Sequence, residues 1–516
     1  MKKPLNLFVA ILACLTLSIL SSGIILSEIS LDSIPIYSIV SMEEKYANTD
    51  NEGYSPISLD DIYIPSNIPQ NTFGLKIYNG SSWQPSEIVE NNPFDYSKPT
   101  VIYTHGMGTG NGIDNPDIWF SKGYNVCHFL WGAFSDDLPT SGQDKVWAKG
   151  KYPNSEKNIL SYTDAPWTSG AITRYLTDVP DHSITEIYAA YYLDLIMREN
   201  YNGKEIRFFG HSLGAHLSMS LTNYLMFCVE KREIPPSVLP DRVTMLDPYI
   251  SDFVSNLNCS WSGESMKEGS SKKALETSLK ARDFGIAFEE LRTSQYVGIA
   301  AYAMFMASDP TANPDDSDYG LFKKIIMYSY VNTNFLADKL PYISAVERMH
   351  SISEYWYAEM MNHDYLYEQD SLSYGMAPFS EKEYVYSRMG NKYEISFSET
   401  EYDTSDDSVV SDITRAKVSG FIFEDKNNNG IFDERLKSQL LGVKISLMDE
   451  NNNELVSQTT DLNGYYSFDL ELGKKYKLNI IEDSNYKLGV FSSELFEALE
   501  NKELLILNLP MIKNLS

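Results

Sequence analysis

The sequence predicts an α/β domain built on a mostly parallel sheet, followed by a small all-β sandwich. Apolar runs of strand length alternate with helical periodicity between residues 71 and 395. One of those runs enters a helix through Gly210-His211-Ser212-Leu213-Gly214, and from residue 416 onward apolar residues recur with period two between turn signals.

The pentapeptide is the most informative stretch. The strand-like Glu205-Ile206-Arg207-Phe208-Phe209 precedes it, and Leu217, Met219, Leu221 and Tyr224 follow at helical spacing. Strand, G-x-S-x-G, helix is the context of a nucleophile elbow. A serine at the tip of so tight a turn carries strained backbone angles, costing about 1–3 kcal/mol. Bulk at Gly210 or Gly214 would clash with the adjoining strand or helix. In return the Ser212 hydroxyl stands clear of the sheet, and the Leu213 N–H at the helix start points where an oxyanion would form.

Length and charge bound the rest. A chain of 516 residues exceeds one hydrophobic core, so two or three domains are expected. With 43% hydrophobic and 13% aromatic residues it is no disordered acidic chain. The 71 Asp and Glu against 42 Lys and Arg leave a formal charge of −29, which argues against nucleic acid or an anionic membrane surface as partner.

Met1-Lys2-Lys3-Pro4 and the uncharged run Leu5 to Leu26 have the form of a secretory signal. The run is also long enough for an uncleaved anchor, and Ile11-Leu12-Ala13-Cys14 loosely resembles a lipobox. Each alternative puts the bulk of the chain outside the cytoplasm, with membrane or cell-envelope association through residues 1–26. Without Cys14, the cysteines Cys127, Cys228 and Cys259 form no disulfide framework and read as small buried hydrophobes. Residues 27–70 read as a polar spacer.

Gly74 to Tyr78 is a strand closing on Asn79-Gly80, and Pro99 to Thr104 is a second one, ending in His105-Gly106-Met107-Gly108-Thr109-Gly110. Beside the elbow, the Met107 N–H becomes the second oxyanion donor and His105 a structural residue of the loop. Tyr124 to Trp131 is the next strand. Residues 134–180 lack periodicity and are expected to form a wall or lid, with packing of their aromatics onto the domain as the alternative. Ile184 to Asn200 is a helix.

Asp241 to Pro248 reads as a strand ending in an acid, at the carboxyl edge where open α/β sheets place their sites. In residues 250–341 a charged helix is expected from Ser271 to Arg292 and a strand at Lys324 to Tyr330, with the apolar run Tyr296 to Met306 between them. That run is either acyl-chain lining or core. His350 precedes an aromatic helix, and the order Ser, Asp, His favours it over His363 as the base.

The segments Gly210-His211-Ser212-Leu213-Gly214-Ala215-His216, Arg242-Val243-Thr244-Met245-Leu246-Asp247-Pro248, the His105-Gly106-Met107 loop, and His350 with Tyr355 and Tyr357 behind it resemble the pancreatic-lipase-like branch of the α/β hydrolases. The resemblance covers residues 75 to 365. It implies Ser212 as nucleophile, His350 as base, Asp247 as its orienting acid, Met107 and Leu213 as oxyanion donors, an ester or lipid substrate, and no catalytic cofactor. The disulfides and the C-terminal lipid-associated sandwich of the animal enzymes are missing, so the hydrolase chemistry carries over better than triglyceride specificity does.

Residues 396–415 are acidic and rich in Ser and Thr, and read as a linker. Beyond them Val443, Ile445, Leu447, then Tyr466, Phe468, Leu470, then Tyr476, Leu478, Ile480 mark strands of a sandwich. Gly420, Asp425, Asn427, Asn429, Gly430, Asp433, then Gly442-Val443 and Thr460-Asp461-Leu462-Asn463-Gly464-Tyr465 resemble the calcium-binding B-type repeats of bacterial surface adhesins. Asp425, Asn427, Asn429 and Asp433 are accordingly candidate Ca2+ ligands, although Leu436 stands where an EF-hand loop has its glutamate. Two function classes follow: a secreted or surface serine ester hydrolase, and a surface binding protein that reuses a hydrolase fold.

Overall fold

The computed structural model of the chain describes residues 40–47, 53–63, 68, 72–108, 115–135, 139–163, 173–175, 182–250, 256–294, 317–332, 350–354, 357, 382–390, 392–396, 408–411, 416–430, 432, 438–461, 464–471, 473–482, 485–489, 496–497 and 504–514. The expected N-terminal signal, His363 and the run Tyr296 to Met306 lie outside them, as does Asp433.

A mixed 10-stranded sheet organises the larger part. In chain order its strands are β1 (Phe73–Tyr78), β2 (Trp83–Pro85), β3 (Thr100–Thr104), β4 (Asn125–Trp131), β5 (Ile206–His211), β6 (Arg242–Leu246), β7 (Ala287–Arg292), β8 (Met327–Asn332), β9 (Lys392–Ser396) and β10 (Ser408–Ser411). Their spatial order is β10-β9-β8-β7-β6-β5-β3-β4-β1-β2. Pairing is parallel from β4 through to β9. Antiparallel partners close both ends, β1 and β2 on one side and β10 on the other.

The central strands are buried on both faces, as strands covered by helices must be. Helices α1 (Pro139–Trp147), α2 (Ile184–Ile196), α3 (Leu213–Glu230) and α4 (Gly269–Asp283) supply that cover. Helix α2 starts at a capping box, with Ser183 accepting from the Glu186 N–H and the Glu186 carboxylate accepting in return. One apolar cluster joins α2 and α3 to the sheet through Ile187, Tyr188, Leu217, Leu221, Phe129 and Phe208. Cys127, Cys228 and Cys259 are free thiols in buried positions.

The described residues depart from the sequence reading in three places. The charged helix stops at Asp283, the chain turns at Gly285 with φ 70°, and Ala287–Arg292 is a strand inside the sheet. Its charges are tolerated there because Glu289 pairs with Arg242 at 2.7 Å and Glu290 with Arg292 at 2.7 Å. In the described part of 134–180, Val146, Trp147, Ile159 and Leu160 are buried, in keeping with the packing alternative to a lid. In the spacer, Val40–Ser41 pairs with Leu440–Leu441, Met42 joins the core and Tyr46 stacks on Phe284. Inside the expected linker, β10 pairs with β9, so backbone hydrogen bonding holds Ser408–Ser411 to the sheet edge.

The C-terminal part is all-β. A five-stranded sheet containing Ala416–Glu424 and a four-stranded sheet containing Lys444–Asp449 enclose Val418, Ile422, Ile445, Leu447, Tyr466, Phe468 and Leu478. It rests on helix α5 (Lys382–Ser387): Tyr386 packs against Phe421 and Tyr465, with ring centroids 4.9 Å apart in both pairs. Lys382 binds the Asp241 carboxylate at 3.2 Å and covers the Phe432 ring. These contacts gather near the amino ends of the parallel strands, whereas Ser212 and Asp247 follow the carboxyl ends of β5 and β6.

Candidate active site

Strand β5 runs directly into α3, and the turn between them holds Ser212 at φ 56°, ψ −121°. The turn is fixed from both sides, since the Ser212 N–H donates to the Leu246 carbonyl at 3.0 Å and the Tyr249 N–H donates to the Ser212 carbonyl at 3.0 Å. Both flanking glycines are required by space. A Cβ on Gly210 would stand 2.5 Å from the Gly214 carbonyl oxygen, and one on Gly214 would stand 2.1 Å from that of Thr104.

Asp247 follows β6 with φ 41° and is fully buried. His350 begins the helical stretch 350–354. Its Nδ1 lies 2.5 Å from Asp247 Oδ2 and its Nε2 2.8 Å from Ser212 Oγ. With the carboxylate accepting, the ring carries its proton on Nδ1, and Nε2 is left to accept from the serine hydroxyl.

Four more donors hold the acid. The Thr293 and Ser294 N–H groups and Arg292 Nη1 donate to Oδ1 at 3.3, 3.2 and 3.2 Å, and the Ser294 hydroxyl donates to Oδ2 at 2.5 Å. Burial pushes the Asp247 carboxyl up, but Arg292, then the His350 and Ser294 hydrogen bonds, outweigh it and hold the group below the ordinary carboxylate range. The sequence reading does not reach Arg292 because it expects helix where the strand Ala287–Arg292 lies, nor Ser294, which follows that strand. Gly285, two residues past Asp283, was the available stop signal.

The loop after β3 brings His105-Gly106-Met107 against the serine; a Cβ on Gly106 would lie 2.9 Å from Ser212 Cβ. His105 is structural. Its Nε2 accepts from the Trp131 N–H at 3.1 Å, so Nδ1 carries the proton and donates to the Gly106 carbonyl at 2.9 Å. Burial drops its pKa to about 4, which keeps the ring neutral. The Ser135 hydroxyl ties the Gly108 carbonyl at 2.8 Å, steadying the far side of the loop. Met107 is 45% exposed beside the buried Ser212, and Leu213 is the first residue of α3, whose opening N–H groups have no partner within the helix.

Three other side chains brace the site. His216 is neutral, its pKa lowered to about 4 by burial, and bridges Trp147 Nε1 at 2.5 Å to the Tyr249 carbonyl at 3.2 Å. His211 Nε2 donates to the His350 carbonyl at 2.9 Å. Glu354, 3.4 Å from His211 Nδ1, is pushed up to about 8 by burial.

In the C-terminal part, Asp425 and Asn427 form a turn with its own backbone. Asp425 Oδ1 and Oδ2 accept from the Asn429 and Gly430 N–H groups at 3.1 and 2.8 Å, and Asn427 Oδ1 accepts from the Asn429 N–H at 3.0 Å. A calcium shell needs about 6–8 oxygens. Asp425, Asn427 and Asn429 bring one carboxylate, and among the described residues no group of three or more His, Cys, Asp or Glu is gathered for a metal. Asp433, the fourth candidate ligand, lies outside the described residues.

Serine-aspartate repeat-containing protein F of Staphylococcus epidermidis is 32% identical over 84 residues, 16% of this chain and 5% of that protein. Serine-aspartate repeat-containing protein D of Staphylococcus aureus (strain Newman) is 35% identical over 77 residues, 15% of this chain. The match thus spans 5% of the length of these curated relatives. Among solved structures, the Bacillus anthracis TIE protein is similar over 21% of this chain and 22% of its own, at 21% identity and TM-score 0.15. An α/β hydrolase superfamily protein from Enterococcus faecalis is similar over 55% of this chain and 93% of its own, at 11% identity and TM-score 0.20. The family model of the SdrD B-like domain matches residues 416–494, and that segment is an SdrD B-like domain.

Proposed function

We propose that this chain is a serine ester hydrolase of the α/β-hydrolase type that works outside the cytoplasm and carries an SdrD B-like domain as its surface module. The observation that carries the reading is the continuous hydrogen-bond line from Ser212 Oγ through His350 to Asp247, at 2.8 and 2.5 Å. Such a line is what nucleophilic activation of a serine requires. Ser212 Oγ attacks the ester carbonyl carbon while its proton passes to His350 Nε2, and Asp247 stabilises the imidazolium. The N–H groups of Met107 and Leu213 receive the oxyanion, each contributing about 3 kcal/mol. The alcohol leaves with the proton from His350, and water repeats the cycle on the acyl-enzyme. No step calls for a cofactor.

Exposed Met107 at the lip of the site favours an apolar acyl group, at about 0.8 kcal/mol per buried methylene. The substrate class that fits this lip is a carboxylic ester with medium or long acyl chain, with a small soluble ester as the alternative within the same chemistry. The formal charge of −29 argues against nucleic acid as a partner.

The family match at residues 416–494 favours a second reading, a surface binding protein in which the B-like domain is the working part and the triad is idle. A series of p-nitrophenyl esters from two to sixteen carbons, run on the full chain beside Ser212→Ala, separates the two. Turnover that rises with chain length and vanishes in Ser212→Ala is expected. A folded chain that hydrolyses none of the esters overturns the hydrolase reading and leaves the binding protein.

A further inference from the structure

We propose that Arg292 is a positioning residue for the Asp247–His350 pair, dividing the Asp247 carboxylate between itself and the imidazole and pinning the turn that carries the acid. The inference deepens the hydrolase reading and rests on it. Asp247 has its two oxygens assigned to different tasks. Oδ2 takes His350 Nδ1 and the Ser294 hydroxyl, while Oδ1 takes Arg292 Nη1 at 3.2 Å with the Thr293 and Ser294 N–H groups.

The same Nη1 reaches the Pro248 carbonyl at 3.3 Å, so one guanidinium nitrogen clasps both the acid and the peptide after it. Asp247 needs such a clasp because its φ of 41° is a region that side-chain-bearing residues avoid. The rest of the guanidinium is itself held. Nε donates to Glu290 Oε1 at 2.9 Å and Nη2 to Tyr319 Oη at 2.5 Å, while Tyr319 in turn donates to Glu290 at 2.7 Å. All of these groups are buried, so their positions are set by packing and hydrogen bonds together.

Arg292 therefore does two things to the base. It fixes where Oδ2 sits, and its charge draws on the carboxylate that would otherwise act on His350 alone. A fully unshared Asp247 would hold the imidazolium more tightly, making His350 a base that stays protonated to higher pH. Among the described residues, the other titratable groups facing the pair and its arginine are His211 at the end of β5, His105 after β3, Glu354 on the 350–354 helical stretch, Glu290 on β7, Tyr328 on β8 and Tyr319. Burial keeps His211 neutral, with its pKa near 3, and His105 neutral near 4. Among the described residues, Arg292 is thus the cation that moderates Asp247.

The test compares the full chain with Arg292→Gln, Arg292→Lys and the charge-balanced double variant Glu290→Gln/Arg292→Gln, by the pH profile of kcat/KM on a p-nitrophenyl ester. In parallel, NMR of histidine-labelled full chain follows the His350 ring, identified by its loss in His350→Gln. In Arg292→Gln the acid limb and the NMR midpoint should both rise by about 1 pH unit. In Arg292→Lys, which keeps the charge but loses the fork, they should stay within about 0.2 unit of the parent while kcat falls about ten-fold. Should Arg292→Gln not fold, the double variant should show a smaller rise in the same direction. Loss of rate in Arg292→Gln, or in the double variant, with neither midpoint moved would make Arg292 a purely structural residue and overturn the inference. A full chain that turns over no ester but shows the NMR shift would sink the hydrolase reading alone.

Discussion

Two aspartates, Asp247 and Asp425, sit at turns after strands, and both are buried and accept several hydrogen bonds. Asp425 takes its donors from Asn429 and Gly430, four and five residues further along. Asp247 takes its donors from Arg292, Thr293, Ser294 and His350, between 45 and 103 residues away. A carboxylate satisfied by its own turn shapes that turn and nothing else. One satisfied from two remote segments holds both in register with its own strand, and the site exists only while they stay together.

Asp247→Asn leaves the turn intact but favours the wrong imidazole tautomer, and it should lower kcat by about 10^4. Asp425→Asn should leave ester turnover within about two-fold. Equal losses from the two substitutions, measured as kcat on one ester, would erase the distinction between them.

Glycines extend the contrast to stability. At Gly214 a Cβ would meet the Thr104 and His105 carbonyl oxygens at 2.1 and 2.2 Å, both backbone atoms that cannot step aside. Gly214→Ala should therefore abolish activity and lower stability by several kcal/mol, on the order of the largest overpacking effects. Gly430, at φ 75°, closes the local Asp425 turn, and Gly430→Ala should cost about 1 kcal/mol without touching turnover. Denaturant unfolding of the full chain reads both. A Gly214→Ala chain as active and stable as the parent would contradict the elbow geometry.

Glu354 contributes the pH dependence. Its folded pKa is raised to about 8, above the unfolded value of about 4.3. Between those limits the folded chain keeps a proton that the unfolded chain has released, so stability falls as pH rises through this window and levels off beyond it. Glu354→Gln removes that slope: its Tm should exceed the parent's at pH 9 and approach it near pH 4. Asp247 acts in the opposite sense. Its lowered pKa gives stability that is present above the unfolded value and lost as pH falls through the folded one. Calorimetry that finds parallel Tm profiles for Glu354→Gln and the parent would show that Glu354 is ionised in the folded chain.

What could be read in the sequence follows the same division between local and remote. The elbow is legible at Gly210 and Gly214 because a tight strand-to-helix turn excludes side chains within a few residues. The sandwich strands are legible at Ile445, Leu447, Tyr466 and Phe468 because period-two burial is a local pattern. Arg292 was not legible: Ala287-Phe288-Glu289-Glu290-Leu291-Arg292 carries charges that suit an exposed helix, and it takes partners placed by the fold, Arg242 and Thr244 for Glu289 and Arg292 and Tyr319 for Glu290, to make them acceptable inside a sheet. The strand at Ser408–Ser411 hid for a related reason, with just Val409 and Val410 between acidic residues and its pairing with Lys392–Ser396 set by the sheet. Met42 and Tyr46 likewise found apolar partners that a polar-looking stretch does not announce.

The central claim is that Ser212 is a nucleophile activated by His350 and Asp247, and active-site labelling reads it with the least intervening assumption. The full chain is treated with a fluorophosphonate probe at neutral pH and the modified peptide is mapped by mass spectrometry. The account predicts one adduct, on Ser212, absent from Ser212→Ala and formed far more slowly in Asp247→Asn. A folded chain that takes up no probe, or an adduct that persists in Ser212→Ala, would contradict it.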